Sequence, residues 1–199
     1  MDITQLILDD HHEQRRLFAI LEQISRADAD ALSVVWGRLG AFLEVHAAAE
    51  EAIFYPALLR AGLAARQQAG AEAETADAIR DHNEIRDAVG EVAQHEVGSQ
   101  GWLAAIAAAN LANSDHMAEE EREGLTDFRR LAGLQHRHDL AVAFAAFQAR
   151  HFAGLPAVDQ DPQSYIRWAE DDRRAFPPVH STSAASGSDD VPAGRPGFA

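Results

Sequence analysis

The sequence predicts an all-α protein. Alanine, leucine, glutamate and arginine, which favour helix, are abundant among its 199 residues, whereas glycine, proline and β-branched runs are sparse before about position 154. Apolar residues recur at helical spacing in several segments. Two of these segments carry a histidine followed four residues later by a glutamate, at His46/Glu50 and His116/Glu120. These observations predict helices that converge on one cluster of metal-binding side chains.

The composition limits the class of protein. A hydrophobic content of 47% in 199 residues suits one well-buried domain. The net charge of -15 argues against a nucleic-acid partner, because phosphate binding needs clustered lysine and arginine. No stretch approaches the roughly 18 apolar residues of a membrane span, and the acidic N-terminus lacks the basic start of a secretory signal. We therefore expect a cytoplasmic protein without membrane contact.

The first predicted helix runs from about Ile3 to Ser25 and contains two adjacent histidines. At 100° per residue, His11 lies within about a quarter-turn of the edge of the apolar stripe, whereas His12 points nearly opposite to its centre. We therefore expect His11 to face the core and His12 to face solvent. The stripe itself consists of Ile3, Leu6, Ile7, Leu17, Leu21 and Ile24.

The second predicted helix starts at a cap supplied by Asp28 or Asp30 and runs to about Arg60. His46 and Glu50 replace apolar residues in the middle of its inward row. A charged glutamate in such a row costs several kcal/mol unless it is paired or binds a metal, so we interpret the two residues as ligands.

Two neighbours of these ligands lie off the inward row. Glu51 is expected at the surface or close to the metal without binding it. Tyr55 is expected to have a packing role, although its hydroxyl can approach the site if the helix is distorted before Pro56.

The next predicted elements place two more histidines on the same cluster. Residues 62–72 carry glycines and predict a mobile connection, and a third helix follows from about Glu72 to His95. His82 lies on its inner face. Since a lone histidine in such a row is more often a packed core residue, its assignment as a ligand depends on the other three segments.

Ser99 is the predicted N-cap of the fourth helix, whose inward row leads to His116 and Glu120. Within the acidic run that surrounds Glu120, it alone repeats the histidine–glutamate spacing. Glu119 and Glu121 are therefore expected in solvent.

The rest of the chain divides into three predicted parts. Helix continues or resumes over about 127–152 and completes a domain at 1–153. Residues 154–175 form an extension with a short helix that starts at Asp161-Pro162, because a capping aspartate precedes a proline at the first helical position. The segment 176–199 is polar and without apolar periodicity, which predicts a disordered tail.

The residue types indicate the metal. Imidazoles with bridging carboxylates favour iron or manganese, and the chain has no cysteine to offer a thiolate. Two metals about 3.5–4 Å apart can share a carboxylate, and a glutamate one helical turn beyond a histidine ligand can reach such a bridging position. The spacing therefore predicts terminal histidines and bridging glutamates.

The set formed by His11, His46-x3-Glu50, His82 and His116-x3-Glu120 resembles the hemerythrin-like family, also called HHE cation-binding domains. The resemblance covers about residues 3–125 and implies an up-down four-helix bundle with an oxo- or hydroxo-bridged di-iron centre, manganese being the less favoured metal. It also implies that His11 and His46 bind one iron, that His82 and His116 bind the other, and that Glu50 and Glu120 bridge them.

Two departures separate this chain from the oxygen carriers of that family. Carriers have a second histidine four residues after the third-helix ligand, where this chain has Arg86. They also end the fourth-helix motif with an aspartate at five residues, where this chain has Glu120 at four. Arg86 can point inward and stabilise a bound peroxide anion, or point outward and pair with Asp87 or Glu123.

The resemblance implies that the centre binds or reacts with dioxygen, hydrogen peroxide or nitric oxide. One alternative is an enzyme that disproportionates peroxide or oxidises iron at the same centre. Another is a sensor whose metal site acts on a protein partner, and the sequence indicates no such partner.

Overall fold

The computed structural model describes residues 1–171, apart from the side chain of Glu170, and this part of the chain is helical without strands. The all-α prediction is confirmed. None of the helices described is long and apolar enough to cross a membrane. The predicted disordered tail, 176–199, lies outside the described residues. The elements are α1 Ile3–Gln23, α2 Ala29–Ala49, a π-helical segment Glu50–Phe54, α3 Tyr55–Ala64, α4 Gln68–Val92, α5 Gln100–Arg122, α6 Gly124–Leu131, α7 Leu134–Arg150 and α8 Pro162–Asp171.

Four long helices, α1, α2, α4 and α5, form a bundle. α1 packs against α2 and α5, and α4 packs against α5 and α2, so each helix contacts two of the other three. Short connections at 24–28 and 93–99 make the helices that they join antiparallel neighbours. Outside the bundle, α7 packs against α1 and α2, and α8 packs against α3 and α4.

Side-chain caps fix the starts of several helices. Asp28, and not Asp30, caps α2, and Ser99 caps α5 as predicted. The carboxylate of Asp161 accepts a hydrogen bond from the backbone N–H of Ser164 at 2.8 Å. The short helix predicted after Asp161-Pro162 is therefore confirmed as α8.

Two apolar clusters fill the two ends of the bundle. One contains Ile7 and Phe54, and the other contains Leu17 and Trp102. Along α1, the buried His11 lies between Ile7 of the first cluster and Leu17 of the second. α2 and α4 likewise pass from one cluster to the other across buried polar residues, whereas α5 leads from the second cluster across Asn113, His116 and Glu120 to α6, which belongs to the first. A polar layer therefore crosses the middle of the bundle, where burial is costly unless its groups are paired or bound.

The prediction of a mobile connection at 62–72 is wrong. α3 continues to Ala64 and α4 already starts at Gln68, so only a short turn joins them. A Cβ atom added at Gly62 would lie 2.5 Å from the Cβ of Ala71. The missing side chain lets α3 and α4 approach closely, and the glycine serves this helix contact instead of a flexible loop.

Two other predicted helices are interrupted. The second, expected to end at about Arg60, passes through the π segment and reaches Ala64. The helix expected over 127–152 is divided into α6 and α7, because Ala132 adopts an extended backbone with φ -96 and ψ 134.

Gly62→Ala is expected to lower the free energy of unfolding by about 1–3 kcal/mol, the range for overpacking a close contact. Gly37→Ala is the matched control, because Gly37 is exposed in α2 and a Cβ there meets nothing within 4 Å. It should stabilise the protein by up to about 1 kcal/mol through better helix propensity. Denaturant unfolding of both variants measures the difference. A Gly62→Ala protein as stable as Gly37→Ala would refute the close approach of α3 and α4.

Candidate metal centre

The six predicted ligands lie together in the polar layer. Each has a relative exposure of at most 5%. His12, next to the first of them, is exposed, so the helical phase correctly separates the inner from the outer histidine of this pair. The ligands are contributed by α1 (His11), α2 (His46), the π segment (Glu50), α4 (His82) and α5 (His116 and Glu120).

Glu50 lies at the centre of the layer. Its Oε1 is 2.9 Å from His46 Nε2, and its Oε2 is 3.3 Å from His82 Nε2. Its Oε2 is also 4.0 Å from His116 Nε2. Within the described residues, two groups of ligand atoms are close enough to hold an ion, one with His11 and His46 and the other with His82 and His116. Glu50 belongs to both groups.

Glu120 lies at the edge of this arrangement and belongs to neither group. Its Oε2 is 3.4 Å from His11 Nε2, and its Oε1 accepts a hydrogen bond from the Tyr55 hydroxyl at 2.8 Å. The fold brings Glu120 to the layer as expected. Its role as a bridging ligand stays a prediction.

Four further carboxylates surround the layer, and each accepts a hydrogen bond from Nδ1 of one of the histidines. We call these four contacts the carboxylate ring. α1 supports the histidine of α2, the π segment supports that of α4, α4 supports that of α5, and α5 supports that of α1. The contacts are His46–Asp10 at 3.0 Å, His82–Glu51 at 2.9 Å, His116–Asp81 at 3.4 Å and His11–Glu121 at 2.9 Å.

The carboxylate ring sets the tautomer of each histidine. An ionised carboxylate only accepts hydrogen bonds, so each Nδ1 carries a proton, and each Nε2 faces the centre, where it presents a lone pair once any proton on it is displaced. In metal proteins, such a partner fixes the orientation of the imidazole and raises its basicity. The four nitrogens are therefore oriented for a metal by the protein alone.

Sequence reasoning missed the carboxylate ring, although a signal for it is present. Every ring carboxylate is adjacent in sequence to a predicted ligand. Adjacent residues on a helix point about 100° apart, so when one faces the centre the other faces a neighbouring helix. An acidic residue beside a ligand is thus a candidate support for the histidine of a neighbouring helix, although adjacency alone is not sufficient, since Asp115 and Glu119 also adjoin ligands and are exposed. The adjacent pairs are Asp10-His11, Glu50-Glu51, Asp81-His82 and Glu120-Glu121.

Two of these carboxylates correct the sequence-based expectations. Glu121 was expected in solvent, but it binds His11 and accepts a second hydrogen bond from Arg15 at 2.7 Å. The contact with His11, and with Arg15 next, lowers the pKa of Glu121 to about 2. Glu51 is buried against His82, so of its two expected locations the one close to the metal is correct.

Arg86 lies in a place that neither expected alternative describes. Its buried guanidinium donates to Glu44 at 2.9 Å and to Glu51 at 2.8 Å. The expected outward pairing with Asp87 or Glu123 is therefore replaced by contacts with α2 and the π segment. Since both ends of the guanidinium are held on the outer side of the carboxylate ring, the cation does not reach the centre.

Tyr55 reaches the site because the π segment changes the phase of the helix. The backbone N–H of Tyr55 bonds to the carbonyl of Glu50, five residues back instead of four. The hydroxyl thereby meets Glu120, so of the two expectations for Tyr55 the approach to the site through a distortion before Pro56 is the one found, and not the packing role alone. Burial, together with the charge of Glu120, raises the pKa of Tyr55 well above its usual value, so the hydroxyl remains a donor.

The donor atoms fit a pair of transition-metal ions. Nε2 of His11 and His46, both carboxylate oxygens of Glu50 and Oε2 of Glu120 are buried without a hydrogen-bond partner, which is costly unless another group binds them. Ligand atoms about 2.1 Å from one metal and at right angles to each other lie about 3 Å apart. The contacts of 2.9, 3.3 and 3.4 Å between these groups and their neighbours agree with that spacing.

Protons compete with a metal for the same nitrogens. Burial alone would lower the pKa of His46, but Glu50 and Asp10 outweigh it and hold the pKa well above its usual value. Burial also lowers the pKa of His82, but the hydrogen bonds to Glu50 and Glu51 outweigh this effect and raise the pKa to about 9. Metal binding therefore releases protons and strengthens as pH rises.

A narrow acidic cavity connects the layer with the surface beside α4 and α5. Its volume of about 20 Å³ leaves room for about one water molecule. The ring contact at this opening, between Asp81 and His116, is the longest of the four at 3.4 Å. The inner end of the cavity is formed by three buried residues, Tyr55, His116 and Glu120. The outer lining is acidic and carries Glu74, Asp77, Asp81, Glu119 and Glu123. Of these, Asp77 and Glu123 are paired with arginine.

Three consecutive glutamates are expected to affect metal binding differently. Glu119→Ala should have little effect, because Glu119 is exposed. Glu121→Ala should weaken binding by about 10–100-fold, the usual loss when the partner of a histidine ligand is removed. Glu120→Ala should reduce the amount of metal bound. Titration with Mn²⁺ against a competing chelator measures all three, and equal affinities for Glu119→Ala and Glu121→Ala would contradict the role of the carboxylate ring.

Glu74 is expected to make stability depend on pH. Its Oε2 is buried without a partner, and burial, aided by Asp127 and Glu123, raises its pKa from 4.5 to about 7. A pKa raised by folding stabilises the fold at pH values below the unfolded pKa, and this contribution is lost as pH rises through about 7. Glu74→Gln should therefore melt above the wild type at about pH 8 and lose that advantage at about pH 5.

Glu84→Gln, on the exposed side of α4, is the control for that measurement. It removes the same charge from the same helix without a buried oxygen. A pH-independent difference between Glu74→Gln and wild type, or an equal effect of Glu84→Gln, would refute the raised pKa.

Comparison with known proteins agrees with this geometry. A sequence model of the hemerythrin HHE cation-binding domain matches residues 2–126, which include all six predicted ligands. No curated protein and no solved structure matches the chain. The matched region spans α1 to α5 and ends within α6. The chain belongs to the hemerythrin HHE cation-binding domain family.

Proposed function

We propose that the polar layer holds two iron ions bridged by Glu50. The observation that carries the proposal is the position of this carboxylate, whose two oxygens face Nε2 atoms of different groups at 2.9 and 3.3 Å. His11 and His46 would bind one ion, and His82 and His116 the other. Manganese, which prefers similar ligands, is the less favoured alternative.

Glu120 is the proposed sixth ligand. Its Oε2 is buried without a hydrogen-bond partner and lies on the side of His11, while the Tyr55 hydroxyl holds Oε1. Losing this hydrogen bond would free Glu120 to turn. Tyr55 is therefore proposed to keep the carboxylate in one orientation and to leave the inner end of the cavity accessible.

Small neutral oxidants are the proposed ligands, namely dioxygen, hydrogen peroxide or nitric oxide. Bound iron would supply the electrons for reactions with such molecules. The cavity has room for about one water molecule, which matches ligands of this size. Its acidic outer lining repels anions and leaves neutral molecules unaffected.

Peroxide turnover is favoured over oxygen storage. Four histidines give two nitrogen ligands to each ion, so both ions keep positions for an incoming molecule. Arg86, at the position of the additional histidine in oxygen carriers, is held by Glu44 and Glu51. It therefore neither closes a coordination position nor contacts a ligand inside the layer.

Iron oxidation is a second candidate, and the acidic cavity favours it. The outer carboxylates attract Fe²⁺ to the opening, next to Asp81 and His116. In that case iron is the substrate as well as the resident metal. The protein would then oxidise many Fe²⁺ ions per chain, with dioxygen or hydrogen peroxide accepting the electrons, instead of holding a fixed complement.

Anaerobic loading with Fe²⁺ tests these proposals. We expect two ions per chain, oxygen evolution from hydrogen peroxide, and an unchanged iron content but altered peroxide turnover in Tyr55→Phe. Excess Fe²⁺ followed by admission of dioxygen distinguishes the second candidate, since continued oxidation beyond two ions per chain, with dioxygen taking up the electrons, supports an iron-oxidising enzyme. Fewer than one ion per chain would contradict the centre, and stable reversible oxygen binding without reaction with peroxide would contradict peroxide turnover.

A further inference from the structure

The π segment leaves one backbone carbonyl without a donor from its own helix. In this segment, Tyr55 N–H bonds to the carbonyl five residues back, on Glu50. The same spacing assigns the carbonyl of Glu51 to the N–H of residue 56. Residue 56 is proline, which has no N–H. A buried carbonyl without a partner is destabilising, so the segment requires a donor from elsewhere.

α8 supplies that donor. The hydroxyl of Tyr165 donates a hydrogen bond to the carbonyl oxygen of Glu51. Tyr165 is 5% exposed, and burial raises the pKa of its hydroxyl above the usual value, so it remains protonated. Ile166 and Ala169 are also buried and fix α8 against the bundle. The contact is therefore part of a packed interface.

The segment before α8 makes a second attachment. The side-chain amide of Asn83 donates to the carbonyl of Gln160 at 2.8 Å and accepts from its N–H at 3.0 Å. Asn83 follows His82 in sequence. The two attachments thus hold the residue after Glu50 and the residue after His82.

We propose that Tyr165 and Asn83 are positioning residues for the metal centre, and that they act by orienting His82. Glu51 connects Tyr165 with His82, because its carbonyl is bound by Tyr165 while its carboxylate holds His82 Nδ1 at 2.9 Å. Asn83 acts on the same histidine as its neighbour in sequence. Moving the backbone of Glu51 moves the acceptor that sets the direction of the His82 ring. α8 lies beyond residues 2–126, which the family model matches, so the match to the family does not include the donor Tyr165.

The inference rests on the proposed two-metal centre and predicts an asymmetric effect. The side with Glu50, His82 and His116 receives the support, because Glu51 and Asn83 adjoin two of its residues, whereas His11 and His46 share only Glu50 with that side. Tyr165→Phe removes one hydroxyl and keeps the ring. It should accelerate metal loss from one of the two positions by about tenfold, at the low end for loss of indirect support to a ligand, and leave the other position nearly unchanged.

Chelator-driven release of Co²⁺ from the loaded full-length protein measures this effect. Wild type and Tyr165→Phe are compared for the two release phases and for the visible Co²⁺ spectrum. Ile166→Val is the matched control, because it loosens α8 by one buried methylene and keeps the hydroxyl. Asn83→Ala should accelerate the same phase as Tyr165→Phe, and Glu84→Ala, which is exposed, should not.

Hydrogen exchange of the metal-free protein separates this inference from the proposed function. Tyr165→Phe should increase exchange in residues 50–55, and Ile166→Val should not. Faster exchange in residues 50–55 supports the positioning role of α8 even if the wild type fails to hold two ions. Failure to hold two ions would count against the proposed metal centre and not against this role. Unchanged exchange in Tyr165→Phe would overturn the inference, as would equal effects of Tyr165→Phe and Ile166→Val on Co²⁺ release.

Discussion

The carboxylate ring is the interaction on which the rest of the centre depends. Four histidines from different helices present Nε2 to one point only because each Nδ1 is held by an acid from a neighbouring helix. Without those acceptors, each imidazole could turn or change tautomer, and the buried Glu50 would face nitrogens of undefined protonation. The ring also ties the bundle helices together by polar contacts at the level where apolar packing is interrupted. The same four contacts therefore set both the geometry of the site and the alignment of the helices.

The same layer explains how the protein tolerates so many buried ionisable groups. Apolar clusters close it from above and below, so the buried carboxylates of Glu50 and Glu120 are compensated inside the layer and not by solvent. Outside the ring, Arg15 and Arg86 bring positive charge to Glu121 and Glu51. Asp81 has the longest ring contact and lines the acidic cavity. Charge compensation is therefore weakest where the centre opens to the surface, which is where a metal or ligand has to enter.

Helical periodicity predicted the fold class and the facing side of each ligand-bearing helix. It placed His11 inside and His12 outside, because α1 is a regular helix without interruption. Regular periodicity alone puts Tyr55 off the inward row, and the distortion allowed for before Pro56 brings its hydroxyl to the site, since the π segment adds a residue to one turn. The connection at 62–72 was mispredicted. In a local sequence pattern, a glycine such as Gly62 indicates a flexible segment. Only the position of Ala71 on the next helix shows that Gly62 serves a tight contact between helices.

The contact that closes the carboxylate ring has a consequence for how the protein is made. His11 and Glu121 are 110 residues apart in sequence, whereas the other three ring contacts join residues 31 to 36 apart. The shorter contacts can form as successive helices leave the ribosome, but the last requires the first and final bundle helices to meet. A nascent chain therefore holds an incomplete set of oriented nitrogens until α5 has emerged. Because α5 also carries His116 and Glu120, the set of predicted ligands and the carboxylate ring that orients it are completed together, by the last bundle helix.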